Sequence, residues 1–417
     1  MKVVVLNRYF HPDESATSRM VSSLAFGLAG RGWEVHAVSS RQLLGAPEAA
    51  LPPRDEFGGV TIHRIWTSRF GRRSIVGRVL DYSTYYVSAL VWMLRHARRS
   101  DLLIVATDPP LLSVLAWFAA IFTGAIRVNW LHDLYPEVAA GMGIAIPRVG
   151  YRLLQWLRDR SLRSAAMNVA IGERMASYVE SRRVRRELIS VIHNWSHGDQ
   201  IRPVAAIDNA LRQEWGFCDK FVVGYSGNMG RGHDFSTILK AAQLLQGEKD
   251  VAFVFIGAGQ QLASIETQAK EMGLSNIALH PYQAPDRLSE SLSVPDFHIV
   301  SLKPSLEAFM VPCKFYGVAA AGRPAIYIGD TTGEIPAILK AEDCGHAVPM
   351  GDVEGLAECI LSLKGSPQHA ARWAGNARNA LERRFDCRLA VDRWVAVLGR
   401  LVAPKSLGFP QPVKAEE

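Results

Sequence analysis

Short apolar runs alternate with amphipathic segments along nearly the whole 417-residue chain, and they do so in two separate series. In the first, KVVVLNRYF reads as a strand and SRMVSSLAFGLAGRG as a helix closed by Gly30 and Gly32. EVHAVSS, VTIHRIW, DLLIVATD, IRVNWLHD, AAMNVAIG and LISVIHNW continue as strands. After Trp195 the polar stretch SHGDQIRPVAAIDNA reads as a linker. KFVVGYSG, VAFVFIGAG, NIALHPY, FHIVSL, PAIYIGD and GHAVPM then supply a second set of strands with helices between them. Alternation at this spacing predicts parallel sheets with right-handed crossovers. The fold class is therefore α/β, with two doubly wound, Rossmann-like domains facing across a cleft. Residues 1–196 form the first and 197–385 the second, and ligands are expected at the carboxyl ends of the strands. A last helix around CRLAVDRWVAVLGRL places Leu389, Trp394, Val395 and Leu398 at roughly helical spacing.

Charge is distributed unevenly. Residues 1–200 carry 25 Lys and Arg against 16 Asp and Glu, a net +9, whereas the remainder sums to −2. Of those 25, only Lys2 is a lysine. Eight arginines (64, 69, 72, 73, 78, 95, 98 and 99) surround the uncharged run Tyr82–Leu94, which contains Tyr82, Tyr85, Tyr86 and Trp92. That run is too short to span a bilayer. Arginines beside aromatics suit an anionic lipid surface, and a solvated basic face around an ordinary core helix is the alternative. No nucleic-acid-binding motif accompanies the charge. Pro109–Ile126 is also uncharged, but it lies between two strand patterns and predicts a buried crossover helix. The opening MKVVVLNRYF reads as a strand rather than a signal peptide. Five scattered cysteines without a C-x-x-C pair indicate reduced thiols. The expected location is cytoplasmic, peripheral at the inner face of the membrane.

GYSGNMGRGHDFSTILK, residues 224–240, is a Gly-rich strand-to-helix turn, which lets backbone N–H groups approach an anion. Asn228, Arg231 and His233 can bring further donors there. In VPCKFYGVAAAGRP, Lys314 falls in the first turn of a helix, where a cation is disfavoured unless an anion binds beside it. Two such termini on one sheet fit the two phosphates of a nucleoside diphosphate. FIGAGQQ is a third Gly turn, read as chain reversal. HPDESATS offers hydroxyls at the end of the first strand, and NWLHDLYPE places His132 and Asp133 at the end of another. An N-cap by Asp133 with a packed histidine is the alternative there. No Asp-x-Asp occurs, so a diphosphate held through metal by paired aspartates is not expected. The chain has no G-x-x-x-x-G-K-[ST], G-x-S-x-G or H-E-x-x-H, and its first turn lacks the dinucleotide G-x-G-x-x-G.

YFHPDESATS, LAFGLAGRGWEVHAVSS, HDLYPE, YSGNMGRGHDF, VPCKFYGVAAAGRP and GDTTGE together resemble the family 4 retaining glycosyltransferases of the GT-B fold. The nearest type resembles bacterial transferases of capsule, colanic-acid and O-antigen assembly, including those named for L-fucosamine transfer. The resemblance runs over about Met1–Val402. It implies a C-terminal domain that binds a nucleotide sugar, an N-terminal domain that binds the acceptor, and a last helix, 386–402, that packs back onto the N-terminal domain. It further implies donor contacts from Gly227, Asn228, Gly230, Arg231, Lys314 and Glu334, acceptor contacts from Ser15 and Thr17, and catalytic positions for His132, Asp133 and Glu307. The sequence departs from the family pattern at the glutamate pair. Alignment on AAAGRP puts Phe309 and Gly317 at the two positions, with Glu307 the nearby candidate for the first. Asn228 stands where the family usually has Arg, His233 near its usual Lys, and Cys313 where the subgroup commonly has Ser, so Arg231 and Lys314 are the expected substitutes.

The implied activity is retaining transfer of a hexose or N-acetylhexosamine from a nucleoside diphosphate, UDP by preference, without metal or other cofactor. The implied acceptor is a lipid-linked, polyprenyl-diphosphate-carried or oligosaccharide glycan in surface polysaccharide biosynthesis. Two rivals remain open at this stage. A sugar-nucleotide epimerase or hydrolase would turn over donor without acceptor, and a non-catalytic sugar-nucleotide-binding subunit would bind it without turnover.

Overall fold

The computed structural model describes residues 1–46, 49–71 and 75–402. Its first half runs β1 (Val3–Leu6), α1 (Ala16–Ala29), β2 (Val35–Ser40), β3 (Arg54–Phe57), β4 (Val60–Ile65), α2 (Ile75–His96) and β5 (Leu102–Val105). There follow α3 (Leu112–Thr123), β6 (Ile126–Leu131), α4 (Glu137–Gly141), α5 (Arg148–Arg163), β7 (Met167–Ala170), α6 (Glu173–Ser181) and β8 (Ile189–Val191). The second half runs α7 (Ala210–Glu214), β9 (Phe221–Ser226), α8 (Ser236–Leu244), β10 (Val251–Ile256), α9 (Leu262–Glu271), β11 (Ile277–His280) and α10 (Leu288–Ser293). It continues with β12 (Phe297–Ser301), α11 (Lys314–Ala320), β13 (Ala325–Gly329), α12 (Glu334–Ala341), β14 (Gly345–Pro349), α13 (Val353–Gly365) and α14 (Pro367–Ala380), and ends with α15 (Cys387–Val402).

Two sheets result. The first has the order β3-β4-β2-β1-β5-β6-β7-β8 and the second β11-β10-β9-β12-β13-β14. Every pairing is parallel except β3 with β4. Strand order reverses between β1 and β5 and again between β9 and β12, the positions where doubly wound sheets open a crevice. Helices cover both faces of the first sheet, which is why its strands read as unbroken apolar runs. Val3 and Val5 join the core on the α1 side, whereas Val4 and Leu6 pack with Tyr85, Ala89 and Met93 of α2 and with Leu112, Ala116 and Ala119 of α3.

The carboxyl ends of the two sheets meet. Asp133, just after β6, pairs as an isolated antiparallel bridge with Met310, beyond β12, and Leu134 N donates to Phe309 O at 2.9 Å. The chain crosses between the domains twice, and the crossings lie side by side. Ser196 N donates to Phe385 O at 3.1 Å and Cys387 N to Ser196 O at 2.9 Å. From the second crossing α15 returns to the first domain and lies on α1. A Cβ on Gly27 would stand 2.4 Å from Val391 Cγ2, so glycine is what lets the two helices approach this closely. Trp394 meets the ring of Trp130 edge-on at 5.1 Å, and Trp130 stacks on Trp195 at 5.6 Å.

One element was missed and three expectations change. The short β3, four exposed residues with the sequence RDEF, was not legible, because pairing to β4 rather than burial forms it. The Pro109–Ile126 helix is buried on one side only, since Phe118, Ile121 and Phe122 of α3 are exposed. The aromatics of α2 do not face outward. Tyr85 and Trp92 belong to the core under the helix, and Tyr86 donates to Pro110 O. Arg64 is not on the basic face: it is buried, paired with Asp55 at 2.9 Å and donating to His11 O at 3.1 Å. Arg72 and Arg73 lie outside the described residues.

Candidate active site

The turn after β9 is built from glycines because two backbones touch there. A Cβ on Gly257 would fall 2.2 Å from Gly227 O, and one on Gly259 would fall 2.5 Å from Met229 N. Gly227, Gly257 and Gly259 have φ of 123°, 142° and 154°, a region that side chains avoid. The FIGAGQQ turn is thus the buttress of the β9 turn, with Gly227 N donating to Ile256 O at 2.8 Å and Met229 N to Ala258 O at 2.8 Å.

Lys314 projects into this frame from the start of α11. Its Cε is 3.4 Å from the position a Cβ on Gly227 would take, and its Nζ lies over the Tyr225 ring at 4.1 Å from the centroid. The ammonium also donates to the Tyr225 hydroxyl, lies 3.4 Å from Asn228 O and sits 3.3 Å from His233 Nε2. His233 Nδ1 is 2.5 Å from Ser301 O, a carbonyl that can only accept, so Nδ1 carries the proton and Nε2 accepts from Lys314. Burial, reinforced by Lys314, pushes His233 down to about 3, so it stays neutral. Burial pulls Lys314 down to about 7. Among the described residues no carboxylate forms an ion pair with it. The cluster is a desolvated cation facing a Gly turn, held by neutral groups.

Asp133 approaches from the other domain. Its N–H donates to Thr107 Oγ1 at 3.2 Å, and burial together with Asp108 pushes its carboxyl up to about 7. The Cys313 thiol is raised by burial, with Lys314 lowering it and Asp133 raising it. His132 is buried against Trp130 at 4.4 Å between centroids, and burial pushes it down to about 3. Its Nε2 has no hydrogen-bond partner among the described residues.

Other expected positions are placed differently. Glu307 is buried with both carboxylate oxygens engaged: Oε2 accepts from the Tyr327 hydroxyl at 2.5 Å and Oε1 from Glu334 N at 2.7 Å. Burial raises its pKa despite these bonds. It caps α12, and Gly333 is glycine because a Cβ there would overlap the carboxylate at 2.2 Å. Glu334 does not turn toward the Lys314 cluster. Its Oε1 meets His193 Nε2 at 3.0 Å and its Oε2 accepts from Arg174 N at 3.1 Å, while Arg174 also donates to Thr332 O. Burial would raise its carboxyl, but the bonds from His193 and Arg174 hold it below the usual range. Glu334 therefore clasps the two domains together across the N-terminus of α6. Arg231 is exposed, and no hydrogen bond or ion pair ties it to Lys314. Asn228 is exposed and Gly230 half-buried on the same turn. Ser15 precedes α1 with its N–H on Asp13 Oδ1 at 2.9 Å, and Thr17 is half-buried in the first turn.

Tyr225 and the protonation state of His233 are contributors that spacing could not reveal, since they lie 89 and 81 residues from Lys314. Among the described residues no group of three or more His, Cys, Asp or Glu side chains could hold a metal ion, and no helix is long and apolar enough to cross a membrane.

Comparison with known proteins identifies the family and the fold. Residues 15–195 match the family model described as a glycosyl transferase 4-like domain, and residues 208–380 match glycosyl transferases group 1. The chain is 25% identical over 382 residues to the putative colanic acid biosynthesis glycosyl transferase WcaI of Escherichia coli, covering 88% of this chain and 93% of that protein. It is 26% identical over 313 residues to the probable glycosyltransferase WbjE of Pseudomonas aeruginosa, covering 75% and 77% of the two. The structure of Anabaena HepE in complex with UDP and glucose superposes with a TM-score of 0.73 at 15% identity, over 96% of this chain and 100% of that one. With the two family models together spanning most of the sequence, and two Rossmann-like sheets meeting at their carboxyl ends, the chain belongs to the family 4 glycosyltransferases of the GT-B fold.

Proposed function

We propose that the protein is a retaining transferase that moves a hexose or N-acetylhexosamine from a UDP sugar to a lipid-linked glycan acceptor at the inner face of the membrane. The observation that carries the donor reading is Lys314: a cation drawn down to about 7 and bonded to neutral groups only, at the edge of the glycine turn after β9. A diphosphate would supply the missing negative charge. The charge that develops on the leaving UDP would be stabilised there by preorganised donors, with no metal required. HepE, on the same fold, was crystallised with UDP and glucose. Across the cleft, Asp133 would orient the sugar or the acceptor hydroxyl, with His132 behind it. Colanic acid biosynthesis is the process for which WcaI is named, and a carrier-linked acceptor suits an arginine-rich first domain.

The test is to incubate the protein with UDP sugars, with and without polyprenyl-diphosphate-linked acceptors, in the presence of EDTA. Transfer with the anomeric configuration kept, read by NMR of the product, supports the proposal. Donor consumption without acceptor would replace it with a hydrolase or epimerase. One observation favours a non-catalytic subunit: Phe309 and Gly317 stand at the family's glutamate positions, and Glu307 is committed to capping α12. UDP-sugar binding with no turnover on any acceptor would establish that reading.

A further inference from the structure

Among the described residues twenty-two large apolar side chains are exposed, and twelve of them stand on three neighbouring helices, α2, α3 and α5. These helices pack side by side, α3 against both others. Along α2 the exposed positions are Val76, Val79, Leu80, Val87, Val91 and Leu94, one stripe at helical spacing. Phe118, Ile121 and Phe122 continue it on α3, and Val149, Leu153 and Trp156 on α5. The inner sides of α2 and α3 already supply the core, so α3, which has no charged residue, is apolar all round yet faces solvent on one side. Burial among the described residues does not account for it.

Charge on this face has one sign. The only acids in the three helices are Asp81 and Asp159, and both are buried. The exposed cations are Arg95, Arg98 and Arg99 at the end of α2, and Arg148, Arg152 and Arg160 interleaved with the apolar residues of α5. A second copy of the chain docked here about a two-fold axis would set arginine against arginine with no acid between them. An anionic bilayer satisfies both features, because acyl chains take the aliphatic and aromatic side chains while headgroup phosphates meet the guanidinium groups.

We propose that the outer side of α2, α3 and α5 is the docking face for an anionic lipid bilayer; this rests on the membrane-borne acceptor proposed above and names the surface that would reach it. The insertion is aliphatic from α2, with Phe118, Phe122 and Trp156 as the ring-bearing anchors. The face also adjoins the cleft: Gly141 at the end of α4 lies against Leu306 of the other domain, and α5 begins at Arg148 shortly after.

The test is co-sedimentation of the full chain with vesicles of phosphatidylcholine alone and of phosphatidylcholine mixed with phosphatidylglycerol. Binding to the anionic vesicles alone is expected, falling at high salt and falling about tenfold or more in Arg95→Gln/Arg98→Gln/Arg152→Gln. Leu153→Ser/Trp156→Ser and Phe118→Ser/Phe122→Ser should lose it as well, with melting temperature unchanged because these side chains are already in solvent. Equal partitioning to neutral vesicles, binding untouched by these variants, or a dimer in lipid-free solution that the serine variants dissociate would each overturn the assignment. UDP-sugar binding measured without lipid is independent of all these outcomes. Its loss in the wild-type protein would sink the transferase reading, whereas a failed docking face leaves it intact.

Discussion

Lys314 makes a pH prediction that distinguishes a phosphate ligand from a merely buried lysine. With the free protein's ammonium near 7, raising pH from about 7 to about 9 empties the cationic form. A bound diphosphate would restore that form, so UDP-sugar affinity should fall by up to about tenfold per pH unit over that range. Lys314→Ala should weaken binding about tenfold or more and abolish the pH slope, as isothermal calorimetry at several pH values would register. Asp133 predicts the opposite kind of dependence, in stability. Its carboxyl keeps a proton up to about pH 7 in the folded protein, whereas an unfolded aspartate releases it near about 4. Between those values the unfolded chain binds fewer protons, so this residue's contribution falls as pH rises. Asp133→Asn should therefore raise the melting temperature most above pH 7 and little below pH 4, while lowering kcat. A melting temperature that shifts equally at both extremes would show that the carboxyl titrates normally. Lys314 and the Gly turn were legible from sequence because a helix-terminal lysine and clustered glycines are local signals. Tyr225 and the neutral state of His233 were not, since β9 brings the first under the ammonium and the Ser301 carbonyl fixes the second. Nor was the buried Arg8, which meets Gln42 at 3.2 Å and Asp81 at 3.7 Å and reads in sequence as one arginine among many.

Elements were legible where one segment carries its own pattern, and less so where a neighbour decides. The apolar strands stand where the runs predicted them, since a strand buried on both faces announces itself by composition. The outward face of α2 was misjudged because aromatic content alone does not say which side of a helix meets the sheet. Tyr85, Ala89, Trp92 and Met93 are the inner side, and only the register of α2 against β1 and β5 decides that. Helix α12 gives the sharpest test at this scale. Its N-terminus is capped not by a neighbouring residue but by Glu307, whose two oxygens hold Tyr327 and Glu334 N. Glu307→Ala would strand two buried donors and should cost about 2–4 kcal/mol, at about 1–2 for each group left unpaired, in urea denaturation. Tyr327→Phe removes one partner and should cost less, about 1 kcal/mol. UDP affinity should be kept in both variants. A large fall in donor affinity for Glu307→Ala with stability unchanged would instead return Glu307 to the donor site.

At the scale of the molecule, four kinds of contact join the two domains among the described residues: the Asp133–Met310 bridge between the sheets' carboxyl ends, the paired chain crossings at Ser196 and Asp386, the Glu334 clasp, and α15 lying on α1. The return of the last helix was implied by the family resemblance, whereas the spacing of Trp394 and Leu398 gave only a helix. What allows it, the bare surface of α1 at Gly27, was not, because a glycine inside a helix is uninformative until its neighbour is seen. The helix is also a lever on coupling between the domains. Trp394 fills the space against Trp130, and Trp394→Ala should cost about 3–5 kcal/mol by leaving a cavity there. Gly27→Val forces α15 away from α1 and should cost about 1–3 kcal/mol as overpacking. Because α15 begins in the second domain's crossing and ends on the first, loosening it should separate the domains thermally. The wild-type protein should unfold in one calorimetric transition that UDP moves upward. Trp394→Ala should show two, with UDP shifting only the one that belongs to the second domain, since a ligand stabilises the unit that binds it. A single transition in the variant, moved whole by UDP, would show that the bridge, the clasp and the crossings couple the domains without the helix.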